Sequence, residues 1–348
     1  GARRGCARGN GGRGPGARSA MNEKILLTTS VGSFGKPEYL QKARNLHARG
    51  KLSTNELREL ERKATTEWIR IQEEIGLDIL VDGEMYRGDM VAYFADLLDG
   101  YKEGGLVRSY GNRYYHKPII AGKVSRPKPM TVEWFQYAQS LTDRPVKGML
   151  TGPYTMLDWS FNEAYPTRRD AALALAEVVR QEAEDLQAAG ARYIQIDEPA
   201  IHARPEEIGI AIEAMGIVTR NLKAKTISHI CYGDFAAIYP AVLELPVDQL
   251  DLAMVNYDYR WLDLFDAHPF TKELAIGIVD VHTHELETVA EAAAGIRKGL
   301  RYVSAERLYP HPDCGLKTRS VEETIAKCKV VVEATKVVRE ELRAKVPA

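Results

Sequence analysis

Residues 168–232 read RRDAALALAEVVRQEAEDLQA (168–188), YIQID (193–197), PEEIGIAIEAMGIVTRNL (205–222) and TISHICY (226–232), and the alternation within them decides the fold. The two long pieces repeat apolar residues at i, i+3 and i+4, the period of an amphipathic helix. The two short pieces are runs rich in β-branched and aromatic residues, the pattern of strands. The same alternation extends in both directions. Candidate strands are Ile25–Ser33, Asp78–Gly83, Lys147–Thr151, Tyr193–Asp197, Thr226–Tyr232, Leu250–Asn256, Leu274–His282 and Leu308–Cys314. Further helical stretches cover Glu38–Gly76, Glu285–Leu300 and Ser320–Leu342. Gly50-Lys51-Leu52-Ser53 interrupts the first, with Ser53 placed to cap a second helix. Eight strand-helix units over about 320 residues predict a (β/α)8 TIM barrel. A doubly wound sheet fits less well, because no GxGxxG succeeds the first strand. The segment Leu106–Val124, with Tyr110, Tyr114, Tyr115, Pro118 and Gly122, reads as a β-hairpin insertion after the second unit.

Composition narrows the function. The chain has 348 residues, 45% hydrophobic and 27% charged, with a net charge of −1, which argues against a nucleic-acid surface or a polybasic membrane contact. No apolar run approaches the roughly 18 residues of a membrane span. Four cysteines, Cys6, Cys231, Cys314 and Cys328, are too scattered for a disulfide framework, and a soluble cytoplasmic protein is expected. Residues 1–20 are rich in Gly and Arg and poor in large apolar side chains. They read as a disordered leader, an expression remnant or a misassigned start, with residues 21–348 forming one catalytic barrel.

Side chains two apart on a strand share a face, so His229 and Cys231 aim at one point. Cys314 stands in the polar turn PDCG rather than an apolar run. Imidazole with two thiolates suits zinc, and three protein ligands leave a position open for a substrate. The competing reading is a His-x-Cys pair packed as core, with free cysteine acting as a small hydrophobe. Chemistry in such barrels sits where strands end at their C-terminal side. There this chain delivers Ser33, Glu84, Asp197, Glu198, His229, Cys231, Asn256, His282, His284 and Cys314. Any one of these is accounted for as a turn residue or a cap; the whole set points to an enzyme.

From about Leu26 to Leu342 the chain resembles the C-terminal catalytic barrel of cobalamin-independent methionine synthase. The resemblance rests on TTSVGSFGKP, DILVDGEMYRGDMVAYF, GPYTMLDWSF, IQIDEPA, SHICYGDF, VDVHTH and PDCGLKTR, in that order. With one barrel, the chain is similar to the short core members of that family. The resemblance implies one zinc ion per chain, held by His229, Cys231 and Cys314. It implies that Glu84 and Asp197 hold the amino group of homocysteine, that Val31 and Ser33 lie at its carboxylate, that Trp159 packs on a pterin, and that His282 assists proton transfer. A free thiol, with a pKa of roughly 8.5, is only slightly ionised at neutral pH, and zinc coordination makes it a thiolate nucleophile.

Two departures qualify the resemblance. The family's fourth zinc ligand, a glutamate, falls on Ala253, and Asp251 on the same strand face is expected too deep to replace it. The domain that helps bind the folate tail in the two-barrel enzymes has no counterpart here. The resemblance to core members therefore implies methylcobalamin or a methylated corrinoid protein as donor, with methyltetrahydrofolate as the alternative. A zinc alkyltransferase acting on another thiol such as coenzyme M, and a degenerate non-catalytic homocysteine- or corrinoid-binding barrel, are the remaining readings.

Overall fold

The computed structural model describes residues 25–108 and 114–345. Six strands, Lys147–Thr151, Tyr193–Asp197, Lys225–Ile230, Gln249–Leu252, Glu273–Val279 and Leu308–Pro312, form one parallel sheet in chain order. They are the third to eighth staves of a barrel. The first and second staves, 25–33 and 78–83, close the ring. Thr29 N donates to Pro310 O (3.2 Å), Ile79 N to Thr28 O (3.0 Å) and Lys147 N to Leu80 O (2.9 Å).

Both of these staves were expected to be regular strands, and they are extended segments joined by isolated bridges, Ser33 to Gly83 and Leu80 to Val146. The reason lies in side chains that take over the ladder. The Gln72 amide satisfies both Val81 N (2.9 Å) and Val81 O (2.8 Å), and Asp78 Oδ2 accepts from Thr28 N (2.8 Å). Backbone groups bonded in this way have no need of a neighbouring strand.

The helical region after the first stave divides as expected into Glu38–Ala48 and Thr54–Ile75. Ser53 caps the second, accepting from Glu56 N, while the Glu56 carboxylate accepts from Ser53 N (2.9 Å). Arg168–Ala188, Ile208–Thr219, Val289–Gly299 and Val321–Ala344 come after the third, fourth, seventh and eighth staves. After the fifth and sixth staves the chain makes only 3-10 turns and the one-turn helix Leu264–Ala267. The inner faces pack around large buried residues including Phe34, Trp68 and Tyr154.

The insertion is larger than a hairpin. Leu106–Arg108 pairs with Tyr114–His116, but Ile119–Ser125 turns away to pair antiparallel with Asp99–Lys102 and parallel with Phe161–Asn162. Tyr110 and residues 1–20 lie outside the described residues. Among the described residues, no helix is long and apolar enough to cross a membrane.

Candidate metal centre and substrate site

His229 is the penultimate residue of the fifth stave and is 3% exposed; Cys231 comes two residues later. Cys314 lies just past the end of the eighth stave. The ligand atoms of these three all lie within 4.8 Å of one another. His229 Nε2 is 3.4 Å from Cys314 Sγ, and Nδ1 is 2.8 Å from Asp251 Oδ1.

The turn that carries Cys314 is tied from two sides. Asp313 Oδ1 accepts from Met254 N (2.7 Å) and Val255 N (3.1 Å), and Oδ2 accepts from Asn256 N (2.8 Å). Gly277 leaves room for this carboxylate, since a Cβ there would stand 1.9 Å from Asp313 Oδ1. On the other side Leu316 N donates to Ser33 O (2.7 Å). The eighth stave is thus locked to both the sixth and the first.

Charge is shared unevenly within the group. The Cys231 thiol donates to Cys314 and His229 stands beside it, and together they hold the Cys314 thiol well below its ordinary value despite burial. Cys231 is pushed up in turn, first by that hydrogen bond and then by burial. For His229, burial opposes the charged form, but Asp251 and the Cys314 thiolate outweigh it and raise the imidazole well above its usual range. One thiolate beside an imidazole and a second thiol is a soft N/S donor set, and it fits zinc.

The residues expected to meet the substrate lie on neighbouring staves. Val31 and Ser33 are buried. Gln195 Nε2 donates to Val31 O (2.8 Å) and to Asp197 Oδ1 (2.9 Å), and its Oε1 accepts from the buried Lys147 Nζ (2.6 Å). Burial pushes Asp197 up to about 7, against the opposing pull of His229 and Gln195. Glu84 adopts a left-handed backbone (φ 58°), held by a hydrogen bond from its N–H to Asp82 Oδ1 (2.8 Å). Its Oε1 faces Gly32, where a Cβ would lie 3.0 Å away, and is 3.6 Å from Arg87 Nη1.

His282 is exposed on the loop after the seventh stave, its ring edge-on at 4.4 Å to Tyr232, the residue that follows Cys231 in the chain. Trp159 ends the short helix Pro153–Asp158, half-buried on the rim beyond the third stave. Two rim residues serve structure instead. Glu198 accepts from Tyr154 N (3.0 Å), Thr155 N (2.7 Å) and Thr155 Oγ1 (2.7 Å), capping that helix. His284 pairs with Glu323 at the surface.

Sequence reasoning placed Asp251 deep on its strand but missed what it pairs with, and it missed two further features. Behind the metal group lie Asp251 and His311, and beneath Asp197 lie Lys147 and Gln195. Beside the metal group, between the 3-10 connections, opens a cleft of about 600 Å³ lined by Tyr232, Tyr257, Arg260 and Trp261 among others. Tyr232 on its wall, and Asp258 and Tyr259 in the connection that carries Tyr257 and Arg260, have positive φ, and such strain concentrates at functional sites. Ala253, 5% exposed, lines an adjoining hollow with Cys231.

Residues 26–337 match the family described as Cobalamin-independent synthase, Catalytic domain. The chain is similar to a methionine synthase of Saccharolobus solfataricus, 41% identical over 92% of this chain and 97% of that protein. A methionine synthase of Sulfolobus acidocaldarius is 39% identical, over 92% and 94%. Among solved structures, a B12-independent methionine synthase from Shewanella sp. W3-18-1, in complex with selenomethionine, superposes with a TM-score of 0.83 at 29% identity, over 92% of this chain and 99% of that one.

Proposed function

Because this chain belongs to the cobalamin-independent methionine synthase family, we propose that it transfers a methyl group to the sulfur of homocysteine, yielding methionine. The observation that carries this reading is the convergence of His229, Cys231 and Cys314, with Asp197 coupled electrostatically to His229. A zinc ion held by those three side chains would supply Lewis acidity enough to keep the substrate thiol ionised at neutral pH.

The protein's own groups do the rest. Glu84 and Asp197 take the ammonium of the amino acid, with Val31 and Ser33 at its carboxylate end, so that recognition becomes orientation of the sulfur. Two carboxylates favour a thiol that bears an ammonium group, hence homocysteine over coenzyme M. The sulfur attacks the donor methyl carbon in line; the S–C bond forms as the bond to the donor breaks, and the released electron pair takes a proton. Membership in a family of methyltransferases sets aside the degenerate, non-catalytic barrel.

The expected methylcobalamin or corrinoid donor finds no support, because the family is described as cobalamin-independent. Methyltetrahydrofolate is the donor we favour. Its nitrogen leaving group needs a proton, which gives His282 a task as general acid, and Trp159 is the candidate for packing on the pterin. The test is methionine formation from homocysteine by zinc-loaded protein, with methyltetrahydrofolate and methylcobalamin supplied in separate reactions. Turnover with the folate alone supports the whole reading. Turnover with methylcobalamin alone overturns the donor assignment, and no methionine from either overturns the function.

A further inference from the structure

We propose that Asp251 is the positioning residue of the metal centre, setting the orientation and basicity of His229 from behind, with His311 holding Asp251 in place. This rests on the proposal that His229, Cys231 and Cys314 hold zinc.

Asp251 lies on the sixth stave directly beside His229 in the ladder and has no exposed surface. A carboxylate at that depth is costly unless it is paired. Its Oδ1 is 2.8 Å from His229 Nδ1 and 2.9 Å from His311 Nε2, the second contact at ion-pair distance but off the line of a good hydrogen bond. Oδ2 has no hydrogen-bond partner among the described residues, so the two histidines carry the pairing. A carboxylate only accepts, so His229 donates from Nδ1 and its Nε2, on the side of Cys314, is left to ligate.

His311 is itself fully buried, its Nδ1 against Pro312 O, and it stands three residues before Cys314. One chain of contacts therefore links two ligand-bearing staves through the barrel interior. Two residues on, just past the end of the sixth stave, Ala253 presents only a methyl group in the hollow that Cys231 also lines. This stave thus offers the metal no direct carboxylate. It delivers its negative charge one step back, through the imidazole, where a carboxylate partner raises ligand basicity.

The experiment measures zinc dissociation constants, by competition with a chromophoric chelator, for the wild type, Asp251→Asn and His311→Gln. It is paired with thermal unfolding of the metal-free proteins and the absorption spectrum of the cobalt-substituted forms. Asp251→Asn should weaken zinc binding by roughly 10- to 100-fold and alter the cobalt spectrum. A purely structural role would lower the unfolding midpoint and leave the dissociation constant alone. Affinity within twofold of wild type in folded Asp251→Asn overturns the proposal. Should that variant not fold, His311→Gln decides: a severalfold weakening supports the proposal and unchanged affinity overturns it. Wild-type protein that binds no zinc refutes the underlying metal reading, and that result is seen before any variant is compared.

Discussion

Asp197 carries a proton question that a single ligand can answer. With its carboxyl raised to about 7 by burial, it is largely protonated at pH 6 and largely ionised at pH 8 in the metal-free protein. An ammonium ion binds the ionised form, so lowering the pH must weaken binding. Methionine has the ammonium but no ionisable thiol, and it should bind metal-free protein about tenfold more weakly at pH 6 than at pH 8. Calorimetric titration checks this, and Asp197→Asn should flatten the profile. Cys314→Ser removes one of three converging ligands; zinc content should fall well below one per chain and methionine formation should cease. Ala253→Glu places a carboxylate beside Cys231 and should tighten zinc binding; an unchanged dissociation constant would mean the new side chain does not reach the metal.

Elements hold these residues through a few polar joints. Gly277 on the seventh stave is the joint between the sixth and eighth, because Asp313 fills the space a Cβ would need. Gly277→Ala should displace that carboxylate from three backbone N–H groups and shift Cys314, costing about 1–3 kcal/mol in urea unfolding and weakening zinc binding together. The Ser53 cap makes a useful contrast. Ser53→Ala should cost about 1 kcal/mol of stability and leave zinc affinity unchanged, since the exposed Ser53 side chain bonds, among the described residues, only to Glu56 of its own helix. That cap was legible because capping is local: a Ser three residues before a Glu suffices. The insertion was legible only in part, because the partner of Ile119–Ser125 is the polar stretch DGYK, which no alternation marks as a strand.

Closure of the barrel depends on contacts between the two ends of the chain. Arg339, on the last helix, donates to Ile25 O (3.1 Å), Leu26 O (3.0 Å) and Asp78 Oδ2 (2.7 Å), clamping the first and second staves. Arg339→Ala should lower stability by about 1.5–3 kcal/mol. It should also raise the KM for homocysteine, because Val31 and Ser33 ride on the clamped stave; thermal unfolding and steady-state kinetics check both.

The sequence by itself determined the barrel, through eight strand-like runs most of which precede a helical period, and it singled out His229, Cys231 and Cys314 as candidate ligands. An i, i+2 pair on a strand and a cysteine in a polar turn at another stave's end are local signals that barrel topology brings together. The resemblance placed the family's fourth-ligand position on Ala253, and the shared strand face marked Asp251 as deep. Only the tertiary structure decided what lies behind those ligands. Whether Asp251 meets His229 and His311, and whether Lys147 reaches Asp197 through Gln195, depends on the register of neighbouring staves inside the barrel. Register arises from packing of the whole ring, and no local pattern in the chain encodes it.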